Sequence, residues 1–531
     1  LSVTLNVLLE RVKFDRKELV KKIKEARPHM DVLILSDIER KYVAFIEENK
    51  LRLPGVKLKV EPLRNYVFNE MGSQSLGYLG EISKTALSKL KESDYRQGDF
   101  IGKDGLEKVY ESSLRGEKGF KEVEVDVAGR ELRVLRKLPP KSGSHLILTI
   151  DHRIQKIVEE MMKGTLEEPR IGSVVVLDVQ TGEILAITSK PAYDPNLFSA
   201  GISREHWKKL SKDPDHPLQN KSIDGQYPPG STYKIVTAYA GLEEKVISPD
   251  STIFCPGEFR LGRGRYRCWK KRGHGRVNLH QALVQSCDVY FYTVGHRLGV
   301  DRLFKYAKQM GFGNFTGIIL SGEKPGLIPS SKWKLRARKE PWQPGETISA
   351  SIGQGYDLVT PLQQANMMAY VASGGRLMKP QIVKRIEDPD GAVVKEFHPE
   401  VLSSEKLNPK SLEVIRKALW GVVHDPHGTG YRARLKNIQV AGKTGTAQVV
   451  AMKKGDEQPE EEETPYHFRD HAWFVAFAPY QNPRIAVAVI VEHGGHGGTS
   501  AAPVAKKVIQ TFFKLNFHKP VLPENSKDNP M

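Results

Sequence analysis

Cysteine is scarce in this 531-residue chain, with only Cys255, Cys268 and Cys287, so a scaffold built from disulfides is excluded. No apolar run approaches the ~18 residues that cross a bilayer. The longest, such as Ile485 to Val491, have the length of strands, so the chain itself is not expected to span a membrane. Glycine (46) and proline (32) fall far short of a collagenous or low-complexity bias, which removes fibres and disorder as the main theme. Acidic residues are the minority sign: 81 Lys+Arg against 63 Asp+Glu leaves +18, which admits a polyanionic partner without choosing among nucleic acid, an anionic membrane face and an acidic wall polymer. The chain begins with Leu1, so a leader or anchor is expected ahead of it.

The three cysteines leave two readings. Cys255 and Cys268 lie in a Gly/Arg-rich loop, where a bridge or free thiols are favoured over zinc, because only Cys255, Cys268 and His274 fall close together in the sequence. No metal is expected. His493-Gly494-Gly495-His496 lacks the helical spacing that puts two ligands on one face and reads as a loop, and Asp470 and His471 read as hydrogen-bonding residues at a strand end.

The first ~145 residues carry amphipathic helical stretches, Lys17 to Lys24 and Asp37 to Asn49, and extended pieces, Lys57 to Val60 and Glu122 to Val127. They hold no catalytic signature and are expected to form an elongated interaction domain over residues 1–145, closed by the Pro/Gly-rich boundary Leu138 to Ser144. From Ser173 two strand-like runs flank a Gln180-Thr181-Gly182-Glu183 turn. Strand signals return only at Ile438 to Val450, Ala472 to Ala478 and Arg484 to Val491, before a helix from Ala502 to about Leu515. This predicts an α+β domain over residues 146–517, with one antiparallel sheet split by a long helical insertion. Residues 518–531 read as a loose tail, and the carboxylate run Asp456 to Glu463 as a solvated loop.

Chemistry concentrates in three short stretches. In Tyr227-Pro228-Pro229-Gly230-Ser231-Thr232-Tyr233-Lys234 the prolines and glycine break regular structure, and the apolar run that follows is a buried helix. Ser231 thus sits at a helix start, where free N–H groups favour developing negative charge. Lys234, three positions on, shares its helix face. A serine needs a base to become a nucleophile. A lysine amine serves if burial and neighbouring cations keep it neutral, against about 4 kcal/mol.

Ser-x-x-Lys also occurs at Ser88, Ser321, Ser331 and Ser403, so the octet alone is weak evidence. Ser286-Cys287-Asp288 has the Ser-x-Asp spacing that lets two polar side chains point one way while Cys287 points into the core, but that pattern also recurs, at Ser211, Ser222, Ser248 and Ser526. Lys443-Thr444-Gly445-Thr446 lies inside a strand, where glycine implies close approach of another backbone and Lys443, Thr444 and Thr446 offer charge and hydroxyls to a carboxylate.

Together and in this order, the three are the signature of β-lactamases and penicillin-binding proteins. The chain resembles a class B penicillin-binding protein of the penicillin-binding protein 2 branch, which works in cell elongation. The resemblance extends to Gly105-Leu106-Glu107-Lys108-Val109-Tyr110-Glu111, Leu114-Arg115-Gly116, Leu148-Thr149-Ile150-Asp151, Ser351-Ile352-Gly353-Gln354-Gly355, Thr360-Pro361-Leu362-Gln363 and Asp470-His471-Ala472-Trp473-Phe474. Asp288 stands where most relatives have asparagine, as is typical of that branch.

The resemblance implies a serine β-lactamase-like transpeptidase domain behind a pedestal or dimerisation-type domain. The implied enzyme cross-links peptidoglycan stem peptides through an acyl-enzyme and is acylated by β-lactam antibiotics. It further implies Ser231 as nucleophile, Lys234 as base, Ser286 as proton relay helped by Lys443 and Lys234, Asp288 as the residue that holds this network in place, and Thr444, Gly445 and Thr446 as the substrate strand. No cofactor is implied. The implied partners are a RodA-like SEDA glycosyltransferase and an MreC-like scaffold, on the periplasmic side of the inner membrane, with the anchor outside this chain. A hydrolytic β-lactamase or D,D-carboxypeptidase and a weakly catalytic penicillin-binding sensor are the rival readings, while nucleic-acid binding has only the net charge behind it.

Overall fold

The computed structural model describes residues 2–12, 14, 16–25, 32–90, 94–126, 131–165, 169–403, 407–449 and 464–517. The expected acidic loop and C-terminal tail lie outside the described residues. The chain divides into two compact units: Leu1–Ser112, Glu117–Lys141 and Tyr193–Lys212 form one, and Ser113–Gly116, Ser142–Ala192 and Asp213–Met531 the other.

In the first unit, three helices, Ser2–Leu9, Arg16–Glu25 and Arg40–Glu48, bury Leu5, Leu8, Leu19 and Ile46 with Leu53 in a small core. The predicted helix from Asp37 begins later, at Arg40, because Asp37 is held at φ 49°, outside helical geometry. Lys57 to Val60, expected to be extended, forms no regular element and pairs with no described strand, and Val60 is fully exposed. The predicted strand at Glu122 falls in a hairpin of Phe120–Val125 with Glu131–Leu138.

The second unit is built on five strands: β1 (Gly172–Asp178), β2 (Ile184–Lys190), β3 (Ala441–Ala447), β4 (His471–Ala478) and β5 (Ile485–Val491). They lie in the order β3-β4-β5-β1-β2, every neighbour antiparallel. The β1–β2 turn forms as read, because the Asp178 carboxylate accepts the N–H groups of Gln180 and Thr181 at 2.8 and 3.0 Å. All residues of β5 are buried, which places it inside the sheet with both faces covered.

Alternation sorts the side chains. Phe474 and Ala476 of β4 and Val487 and Val489 of β5 join Val504, Val508, Ile509 and Phe512 of the C-terminal helix (Ala502–Phe517) in one core. Trp473 and Ile490 point the other way and pack with Tyr227 and Ala447. The expected helical insertion lies between β2 and β3. Its chemistry-bearing helices are α1 (Lys234–Glu243), α2 (Asp288–Leu298) and α3 (Pro361–Ala372). α1 is buried from Lys234 to Gly241 on all sides, as its uninterrupted apolar run requires. α3 starts at a Thr360/Gln363 capping box with Pro361 in its first turn.

Candidate functional site

The first stretch is clamped before it reaches Ser231. Tyr227 exchanges backbone hydrogen bonds with Val359, at 3.0 and 2.9 Å. The Trp473 indole donates to Pro228 O at 3.0 Å, and Gly230 N donates to Gly353 O at 2.8 Å. Gly230 has φ +55°, and a Cβ there would lie 2.4 Å from Thr446 O, so only glycine lets the serine turn approach strand β3. Ser231 lies in a 3-10 turn, Gly230–Tyr233, and α1 starts at Lys234. The Gln364 amide donates to the Thr232 hydroxyl, which donates to Pro229 O, bracing this turn from behind.

Ser286 takes φ 54°, a turn that ends one helical segment and lets Asp288 open α2. The fully buried Lys234 amine then meets Ser286 O at 2.9 Å, Ser286 Oγ at 3.1 Å and Asp288 Oδ1 at 2.7 Å. Lys443, also fully buried, reaches the same Ser286 Oγ at 2.9 Å and Thr444 O at 3.0 Å. Burial first, and then the positive charge of Lys234, hold the Lys443 ammonium well below the ordinary lysine range, with Asp288 opposing. Among the described residues Ser231 Oγ makes no hydrogen bond, so the hydroxyl is not engaged by the Lys234 amine in this state.

The Lys-Thr-Gly-Thr stretch lies on β3, an edge strand of the sheet. Such an edge leaves backbone groups for an incoming peptide. Thr446 O is held by the Gln354 amide at 3.1 Å, and the Thr444 hydroxyl meets Thr429 Oγ1 at 2.7 Å. Gly445 sits against the serine turn: a Cβ there would be 3.0 Å from Thr232 Cγ2 and 3.1 Å from Pro229 O. The structure thus gathers Ser231, Lys234, Ser286, Asp288, Lys443, Thr444, Gly445 and Thr446 into one place.

Three contributors were not read from the sequence. The Trp269 backbone N–H donates to Asp288 Oδ2 at 2.9 Å, and its indole donates to Gln285 O and Ser286 O. Thr429 and Gln364 act through the contacts above. No local signal marks them, since each meets its partner only through the fold. His471 opens β4, at a strand end as read. Its Nδ1 accepts from His493 N at 3.0 Å, and burial, followed by the nearby His493, pushes its imidazole down to about 4.

Of the cysteine alternatives, the structure has the free thiols, and it adds a donor. Cys287 does not merely fill the core: its sulfur joins Cys255, Cys268 and His274, all four donor atoms lying within 4.8 Å of one another. The spacing argument missed it because the fourth donor comes from the Ser-x-Asp turn. All three cysteines are free, so the bridge does not form. His274 Nδ1 faces Cys255 and Cys268 at 3.6 and 3.5 Å, while its buried Nε2 has no partner. Three thiols and one imidazole are the donor set of a structural zinc site. An ion held there would fix Cys268, next to Trp269, and Cys287, between Ser286 and Asp288, and take no part in bond making. Titration of metal-free, reduced protein with Co²⁺ is expected to give thiolate-to-cobalt absorption saturating at one equivalent; its absence contradicts the site.

A family profile described as "Penicillin binding protein transpeptidase domain" matches residues 172–510, and one described as "Penicillin-binding Protein dimerisation domain" matches residues 2–148. The peptidoglycan D,D-transpeptidase MrdA of Haemophilus influenzae is 37% identical over 507 residues, 94% of this chain and 76% of that protein. In a solved complex of penicillin-binding protein 2 with MreC from Helicobacter pylori, the matched chain is 31% identical with a TM-score of 0.81, covering 97% of this chain and 91% of its own. A chain from a peptidoglycan synthase complex, solved in a study of how polymerization and crosslinking are coordinated, is 31% identical with a TM-score of 0.73, covering 96% and 86%. The chain belongs to the class B penicillin-binding proteins of the penicillin-binding protein 2 type, the peptidoglycan D,D-transpeptidases.

Proposed function

We propose that Ser231 attacks the carbonyl between the two terminal D-alanines of a stem peptide, in the cross-linking reaction of cell-wall elongation. The observation that carries this assignment is the single Ser286 hydroxyl shared by two fully buried amines, Lys234 at 3.1 Å and Lys443 at 2.9 Å. Two ammonium ions facing one hydroxyl repel, and burial together with the Lys234 charge holds the Lys443 ammonium well below the ordinary lysine range. Lys234, which opens α1 directly after the serine turn, is the acceptor of the Ser231 proton. Asp288 holds Lys234 in place at 2.7 Å.

As the Ser231 Oγ–carbon bond forms, the carbonyl oxygen becomes an oxyanion, stabilised by the N–H groups of Ser231 and Thr446 at about 3 kcal/mol per donor. The C–N bond then breaks, and the leaving D-alanine amine takes a proton through Ser286. The result is an ester on Ser231. The substrate carboxylate pairs with Thr444 and Thr446, and the peptide lies along β3 at Gly445. An acceptor amine attacks the ester, returns its proton to the relay and frees Ser231. β-Lactams imitate the D-Ala-D-Ala end and stop at the ester.

Among the described residues no helix is long and apolar enough to cross a membrane. The chain works on the extracytoplasmic face of the cytoplasmic membrane, through an anchor outside the sequence described. Its partners are a RodA-like glycosyltransferase and an MreC-like scaffold, a reading supported by the matched structures of a complex with MreC and of a peptidoglycan synthase complex. Incubation with a D-Ala-D-Ala donor and an amine-bearing acceptor peptide is expected to release D-alanine and yield a peptide dimer. D-Alanine release with hydrolysed donor alone, at saturating acceptor, contradicts transpeptidation in favour of a carboxypeptidase.

A further inference from the structure

From Glu258 to Arg276 the chain carries eight cations and one carboxylate, Glu258. Glu258 is already paired with Arg260 and Arg265. Lys270, Lys271 and Arg272 are consecutive and exposed, and none has an ion-pair partner among the described residues. They follow Trp269, whose backbone N–H touches Asp288 and whose indole is fixed on Gln285 O and Ser286 O, while the residue itself is 57% exposed.

The turn is rigid. Gly273 N donates to Lys270 O, and Gly257 packs so closely that a Cβ there would lie 2.3 Å from Lys271 O. A fixed triplet of cations beside an exposed indole, one residue from the Asp288 contact, is an anion-recognition surface at the edge of the catalytic constellation.

We propose that Lys270, Lys271 and Arg272, with Trp269, form a subsite for the carboxylates of the incoming acceptor peptide. This rests on the transpeptidase reading above and deepens it: the ligand is the second substrate, an amine-bearing peptide with free side-chain or α-carboxylates. Location favours the peptide over an anionic lipid or nucleic acid, because the triplet adjoins the residues that handle the reacting groups. The charges act by binding and orientation and exchange no proton with the substrate.

The test compares two tripeptide acceptors with the same primary amine, one carrying two free carboxylates and the other carboxamides in their place. Both intercept the acyl-enzyme formed from a thioester donor. The wild-type protein is expected to prefer the carboxylate form by about tenfold in acceptor kcat/KM, the size of a few solvent-screened charge pairs, with the preference shrinking as salt rises. In the triple variant Lys270→Glu/Lys271→Glu/Arg272→Glu the preference is expected to vanish or invert, while the rate of acylation by a penicillin stays within about twofold. The neutral variant Lys270→Gln/Lys271→Gln/Arg272→Gln keeps the question answerable if charge reversal impairs folding, and is expected to lose the preference as well.

Equal use of the two acceptors by an acylating wild-type protein overturns the subsite and leaves the transpeptidase assignment standing. So does an unchanged preference in both variants, or charge-dependent binding to anionic vesicles that is lost in variants whose acceptor preference persists. Failure of the wild-type protein to be acylated at all overturns the reading beneath it.

Discussion

Lys234→Ala is expected to lower the rate constant for penicillin acylation by about 10³-fold, the middle of the range for removing a general base. The same substitution is expected to destabilise the second unit, which the sequence alone did not suggest. Lys234 is fully buried and donates to Ser286 O, Ser286 Oγ and Asp288 Oδ1, so its removal leaves the Asp288 carboxylate in a largely dry site with only the Trp269 N–H on its other oxygen. Orphaning one member of a buried pair costs about 3 kcal/mol or more. Stopped-flow acylation and a denaturant midpoint therefore move together. The double variant Lys234→Ala/Asp288→Asn recovers part of the midpoint and none of the rate, because it removes the orphaned charge without restoring a base. Acylation of Lys234→Ala near the wild-type rate contradicts the assigned role.

Gly230→Ala is expected to lower acylation by about 10²-fold, the effect of misplacing one oxyanion donor. An L-residue at φ +55° costs roughly 1–2 kcal/mol by itself. The larger problem is the 2.4 Å approach of the new Cβ to Thr446 O, a backbone atom braced by Gln354, so the serine turn or β3 must move. Either movement separates the Ser231 and Thr446 N–H groups. Gly374→Ala provides the control. It has φ +81°, but its Cβ would meet nothing closer than Leu412 at 3.9 Å, so it is expected to carry backbone strain with acylation unchanged. Equal acylation losses in the two variants would show that strain, not the close approach to β3, governs Gly230.

The sheet was legible because its signals are local. Short apolar runs and flanking turns marked β1, β2, β4 and β5, and the Asp178 turn closes the first hairpin as its residues require. The β3 boundary was overextended at both ends, because apolar residues continue beyond Ala441–Ala447 while the pairing with β4 does not. The eight candidate site residues were named through motif order and a family resemblance; Ser-x-x-Lys and Ser-x-Asp each recur elsewhere in the chain, while Lys-Thr-Gly occurs once.

What the sequence hid is what long-range packing creates. Trp269 supports Asp288 across 19 positions, Gln364 supports Thr232 across 132, and Cys287 completes a donor set begun 32 residues earlier at Cys255. The Ser-x-Asp turn accordingly serves two ends: Ser286 and Asp288 face the amines, and Cys287 between them faces the sulfur cluster.

The central claim, one serine hydroxyl made nucleophilic by a buried pair of amines, is tested most directly by intact-mass spectrometry after exposure to benzylpenicillin. The wild-type protein is predicted to gain the mass of one ring-opened penicillin, with the modified peptide containing Ser231, and Ser231→Ala to gain none. An adduct of equal yield in Ser231→Ala, or one mapped to another residue in the wild-type protein, would contradict the account.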